Sequence, residues 1–346
     1  MTSVNQKIHA AVDRLQLDLG GKTVLTEAAT GAYVVTPLLA ALAGARVIAF
    51  TQNTRYGSVE DVKKLTLDQL DLAGIDNSLV TIVDKLTPEI IGSVDVITNS
   101  GHLRPLDQSK LQHAKQGAVI PLMYEAWEWR NADVDIEQVR NKNLKLGATN
   151  ERHPDVDVFN YLGDMALKLI FDAGLCPYRN TFVLMCNNDF GPHIAQVLSR
   201  VCDSLAVCDR KEHRNRYSDL NIDWIGDFPN FEVPVKYRNA EAIIFTAYPF
   251  TDTWIGDEKS PILIEKLMHS FEHPNILRYA GHIDEVKCAD KIAFYPGEVK
   301  PGHMGILPSA IGFDPIIRLQ SGGLKAAELM MKGEEIYNGI QLVEMI

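Results

Sequence analysis

The sequence predicts an α/β protein built from two doubly wound domains, each a parallel sheet covered by helices on both faces, facing a cleft. Three observations carry that expectation. Apolar runs of parallel-strand length alternate with stretches of helical spacing. Two strand–turn–helix–strand openings of one design recur, at 23–50 and 181–208. The polar segment Asn150-Glu151-Arg152-His153-Pro154-Asp155 interrupts the alternation as a crossover would, dividing the chain into domains 1–150 and 151–346. At 346 residues the chain is long enough for two cores.

The elements follow in order. Residues 4–18 read as an amphipathic helix with Ile8, Val12, Leu15 and Leu17 on its apolar side, ended by Gly20-Gly21. A strand over 23–26 leads into a turn whose single glycine is Gly31. Pro37 suits a first helical turn, so the helix is expected to begin near Thr36. Gly44 ends it, and 46–50 is the next strand. Helix 60–74, strands 79–83 and 94–98, helix 107–115, and strands 118–123 and 144–147 complete the first domain. Strands separated by helices are expected to lie parallel. Past the crossover, a helix over 156–173 precedes strand 181–185. A helix carrying Ile194, Val197, Leu198 and Val201 then leads to strand 205–208. Residues 210–238 are polar and irregular, which suggests an insertion or lid. Strands 242–246, 276–279 and 291–294, a Pro- and Gly-rich loop over 295–309, and a helix over 314–331, interrupted at Gly322-Gly323, close the chain.

A net charge of −11 opposes general affinity for nucleic acid or anionic membranes, which need clustered positive charge. No apolar run approaches the ~18 residues of a membrane span, and no signal peptide is evident, so a cytoplasmic location is expected. The five cysteines are odd in number and lie mostly in apolar segments, as buried reduced thiols do. No metal is expected: His282, Asp284 and His303 lack a compact ligand pattern. G-x-S-x-G, Walker A and C-x-x-C motifs are absent, which argues against serine hydrolases, P-loop enzymes and dithiol redox proteins.

Ligands of open α/β sheets bind at the carboxyl ends of the strands, so strand tips are where chemistry is sought. After the strand ending at Thr98 come Asn99, His102 and Arg104. His102 could serve as acid or base, while Arg104 could hold a carboxylate or phosphate. After the strand ending at Met123, Glu125 and Glu128 could share one face of a turn. Trp127 and Trp129 would shield them and raise a carboxyl pKa, or else serve as core or interface residues. The crossover adds His153 as a further catalytic candidate and Glu151 as a substrate contact, and the second half adds His282 and His303 as substrate contacts.

For a cofactor, Asn188 and Gly191 occupy a glycine-rich turn's place. Asn188 would replace a glycine because Asn tolerates positive φ. Asp209 follows 21 residues past Asn188, where an acid would meet ribose hydroxyls. In the first opening, Gly31 takes the turn and Arg55 lies beyond the second strand. Arg55 would favour a ribose phosphate, with a solvated turn residue as the equal alternative.

The segments VDVITNSGHLRPLD, LQHAKQGAVIPLM and YEAWEWRNADVDI, between Val94 and Ile136, resemble the nicotinamide-binding domain shared by S-adenosylhomocysteine hydrolases and D-2-hydroxyacid dehydrogenases. The resemblance is one of pattern and covers about a third of the first domain. It implies Rossmann-like domains and a bound NAD or NADP. The leading expectation is therefore an NAD(P)-dependent oxidoreductase acting on a small polar or anionic metabolite in the cleft, with a homodimer allowed for. Transfer of a group from a nucleotide donor and cofactor-free binding or regulation remain the alternatives.

Overall fold

In the computed structural model, which describes residues 3–346, the apolar runs form parallel sheets in two units. One comprises Met1–Val158 with Gly312–Ile346, the other Phe159–Ile311. The boundary thus falls later than residue 150, and the chain returns to the first unit at Gly312. No helix among the described residues is long and apolar enough to cross a membrane.

The first unit contains β1 (Thr23–Glu27), β2 (Arg46–Phe50), β3 (Val80–Val83), β4 (Val96–Ile97), β5 (Val119–Pro121) and β6 (Lys145–Thr149). They run parallel in the order β3-β2-β1-β4-β5-β6, and Val343–Met345 closes the β6 edge antiparallel. This is the dinucleotide-fold order, whose reversal between β1 and β4 opens a crevice at the strand tips. Helices on both faces explain why Val24, Leu25, Thr26 and Glu27 are all buried, with no alternation of apolar and polar residues.

The helix Asp314–Lys332, expected in the second domain, packs in the first unit against helices Ser3–Leu15 and Val35–Leu42 and against β5 and β6. It is not interrupted at Gly322-Gly323. A Cβ on Gly322 would come within 2.8 Å of Val156, and one on Gly323 within 2.4 Å of Met123. The glycines admit close approach, and the packing gained outweighs their poor helix propensity. The Thr36 hydroxyl donates to Gln320 Oε1 at 3.0 Å, and buried Lys325 pairs with Glu328 at 2.9 Å, tying the helix further into this core.

The second unit contains β7 (Thr181–Cys186), β8 (Ser204–Asp209), β9 (Asp223–Asp227) and β10 (Ala242–Thr246), followed by strands Asn275–Ala280 and Ala293–Tyr295. Their order is β9-β8-β7-β10, then 275–280 and 293–295, all parallel, which repeats the order of the first unit. β9 lies inside 210–238, so that segment is an edge of the sheet rather than an irregular lid. Ile225 is its one buried residue, which left too faint an apolar signal. Two expected helices shrink, to Gln108–Leu111 and Leu162–Asp172. No cysteine among the described residues is in a disulfide, and Cys176 is exposed where burial was expected.

Gly322→Val should lower stability by about 1–3 kcal/mol through overpacking against Val156. Urea denaturation checks this, and an unchanged midpoint would mean that Val156 yields freely.

Candidate functional site

In the first unit, β1 ends on Glu27, a residue that sequence reasoning passed over. Its carboxyl is 4% exposed and accepts from the backbone N–H of His102 at 3.3 Å. A Cβ on Gly101 would stand 1.6 Å from Glu27 Oε2, so glycine is required for this contact. Burial pushes the Glu27 carboxyl up to about 7, although the His102 N–H and Arg104 pull it down. Burial also lowers the pKa of half-buried His102. Behind the acid, the Thr98 hydroxyl donates to Thr26 Oγ1 at 3.0 Å and lies 2.7 Å from Ser100 Oγ.

At the tip of β4, buried Asn99 donates to Tyr124 Oη at 2.6 Å, while its Oδ1 has no protein partner. Tyr124 Oη donates in turn to Asp133 at 3.3 Å. Arg130 Nε also donates to Asp133, at 2.9 Å, and Arg104 approaches it to 3.7 Å. Burial and Asp133 raise the Tyr124 pKa, so the phenol keeps its proton. Beyond β5 and β6, Glu125 accepts from Trp127 Nε1 at 2.6 Å and pairs with Arg152 at 3.1 Å. Burial and then Glu125 push Glu128 up to about 7. Burial, Glu128 and Glu125 raise Glu151 well above the usual carboxylate range against the pull of Arg152. Close carboxyls oppose one another's ionisation, so Glu128 and Glu151 are both held above the ordinary carboxylate range.

Asn99, His102, Arg104, Glu125 and Glu151 therefore belong to one edge of one sheet. His153 is engaged instead by backbone groups. It is 1% exposed, with Nε2 3.0 Å from the Tyr337 carbonyl and Nδ1 accepting from the Asp155 N–H at 3.1 Å. Both ring nitrogens are occupied in clamping the crossover. Arg55 is exposed and lies over the Tyr56 ring at 4.7 Å. Gly31 is exposed, at φ +65°, with open space where a Cβ would point. Among the described residues, no group of three or more His, Cys, Asp or Glu side chains could hold a metal ion.

In the second unit, the expected cofactor contacts face inward. Asp209 is 0% exposed and accepts from Tyr217 Oη at 2.5 Å, from the Arg210 N–H at 2.6 Å and from His213 Nδ1 at 3.0 Å. Its carboxylate is thus turned away from any ribose, because Tyr217 and His213 fold back over it. Asn188 is not among the positive-φ residues and acts through its side chain instead. Its Oδ1 accepts from the Phe190 N–H at 3.1 Å, and its Nδ2 donates to Thr246 Oγ1 at 3.0 Å. Gly191 is buried: a Cβ there would come within 2.4 Å of Tyr217 Oη and 2.6 Å of Cys186 Sγ. His282 follows strand 275–280, and its Nδ1 is buried with no partner; His303 lies in the loop after strand 293–295.

Both units thus have the doubly wound dinucleotide fold. Among solved structures, the chain is similar to a component of dipicolinate synthase from Bacillus halodurans, with a TM-score of 0.55 and 13% identity over 91% of this chain and 98% of that one. The corresponding component of dipicolinate synthase from Bacillus subtilis gives a TM-score of 0.53 and 13% identity, covering 92% and 97%. A D-isomer specific 2-hydroxyacid dehydrogenase from Lactobacillus delbrueckii ssp. bulgaricus, in an NAD-complexed form, gives 0.45 and 13%, covering 93% and 99%. The likeness is one of fold. No protein-family model matches the chain, and neither does any curated protein sequence.

Folded Glu27 keeps its proton up to about pH 7, whereas an unfolded glutamate ionises near its ordinary value of 4.5. The folded state binds the extra proton between these values, so this contribution to stability is full below 4.5 and lost as pH rises through 7. Glu27→Gln should flatten the fall in Tm between pH 4.5 and 7 and stabilise the protein at pH 8.5, by at most about 3 kcal/mol. A variant no more stable than wild type at pH 8.5 would refute the buried acid.

Proposed function

We propose that this chain is an oxidoreductase that uses NAD or NADP and acts on a small polar, anionic metabolite at the strand tips of the first unit. One observation carries the reading: Glu27, an acid poised near neutrality, meets the His102 turn at the reversal of a dinucleotide-type sheet. The Ala28–Gly31 turn fits a pyrophosphate. Its side chains are small, its glycine is exposed with open space before it, and the first turn of the 3-10 helix Gly31–Val34 contains no acid. At the tip of β2, the buried Thr51 hydroxyl has no protein partner, and Arg55 lies nearby in sequence to meet a ribose phosphate.

When bound, the dinucleotide supplies or accepts a hydride. The chain's own residues handle the proton that must leave or reach the substrate oxygen. A group titrating near neutrality is suited to that transfer, and Glu27 and His102 are assigned it. Arg104 and Arg152 are assigned the anionic end of the substrate, because a guanidinium binds a carboxylate through paired N–H groups. Burial favours the protonated forms of Glu128 and Glu151, which lessens repulsion of an anion arriving beside Glu125.

Thermal-shift titration with NAD and NADP should raise Tm for at least one of them, and failure of both would sink the reading. Once a substrate is in hand, His102→Ala and Glu27→Gln should each lower kcat by about 10²–10⁴ while changing dinucleotide affinity only a few-fold. Unaffected turnover in both variants would remove the proton-transfer assignment.

A further inference from the structure

We infer that the second unit carries its own anion in place of a dinucleotide phosphate: the Asp189 carboxylate fills that seat. In a sheet of this order, the pyrophosphate lies at the N-terminus of the helix after the first strand, here Phe190–Val201 after β7. Asp189 occupies the N-cap of that helix, yet its side chain does not cap it. Instead, Oδ1 lies 2.7 Å from Arg216 Nη1, 3.3 Å from His213 Nε2 and 3.6 Å from Arg210 Nη2. Two guanidiniums converging on one anion at a helix N-terminus is how a protein grips a phosphate, and Arg210 also donates to His213 Nε2. Here the anion belongs to the chain.

The surrounding crevice is also closed. Asn187 Oδ1 accepts from the Tyr248 N–H at 2.7 Å, and its Nδ2 donates to the Tyr248 carbonyl at 3.0 Å, stitching the turn after β7 to the turn after β10. Asn188 makes a second stitch, to Thr246 Oγ1. Phe190, the first helical residue, packs its ring against Phe159 at 5.6 Å, Tyr279 at 6.0 Å and Phe250 at 6.2 Å. The acid that would meet a ribose, Asp209, is consumed by Tyr217 and His213. Gly191 makes room for these side chains rather than for a ligand. A phosphate approaching this helix end would have to displace the Asp189 carboxylate to reach the arginines it pairs with.

Hydrogen-exchange mass spectrometry with NAD, NADP and inorganic pyrophosphate tests the inference on the full chain, alongside Asp189→Ala and the near-isosteric Asp189→Asn. In the wild type, none of the three probes should protect residues 187–191 or 209–217. Both variants free the arginines and should bind pyrophosphate at least tenfold more tightly than wild type, with new protection in those two segments. Protection of either segment in the wild type would overturn the inference. So would variants with native circular dichroism that gain no affinity for pyrophosphate. The pyrophosphate measurements decide the matter even if no dinucleotide binds anywhere, a result that would defeat the oxidoreductase reading alone.

Discussion

The contact between Glu27 and the Gly101–His102 turn is the constraint on which the first unit's strand tips depend. It joins the two strands between which the sheet reverses, and it tolerates no Cβ at position 101. A carboxyl held in that position loses most of its water, and one backbone N–H is too little compensation to keep it ionised. The position that makes the acid costly to ionise also brings it near balance between its two forms at neutral pH. Tyr124, Asn99 and Asp133 form a second set of fixed polar contacts at the tips of β4 and β5, which holds Arg104 and Arg130 near the same edge.

Two sheets of identical strand order have taken opposite courses. In the first unit, the turn after the opening strand is made of small residues and ends on an exposed glycine. In the second, the corresponding turn carries two asparagines, an aspartate and a phenylalanine, each engaged with its own unit. Strand order alone is therefore a poor guide to binding. The side chains at the reversal decide whether the crevice admits a ligand or is filled from within.

Much of the architecture was legible because buried parallel strands leave nearly continuous apolar runs: 46–50 and 242–246 coincide with β2 and β10. Where a strand buries a single residue, as β9 does at Ile225, that signal disappears. The Gly322-Gly323 pair looked like a break because Val156 and Met123, which make glycine necessary, lie far off in sequence. Looking beyond strand ends singled out His102, Arg104, Glu125 and Glu151, which the fold brings to the strand tips of the first unit. Glu27 was missed because an acid closing an apolar run looks like any strand terminus. Asp209 had the right spacing for ribose, but spacing cannot reveal that Tyr217 and His213 turn back onto it.

The return of the chain to the first unit at Gly312 bears on synthesis. The second unit is one continuous stretch, so on the ribosome it can close its core while the first still lacks the helix Asp314–Lys332 and the edge strand Val343–Met345. Until those last residues emerge, β6 lacks its edge partner, and its face at Gly147 and Thr149 lacks Met330, Val343 and Gly322. The order in which the units mature is thus the reverse of the order in which they begin.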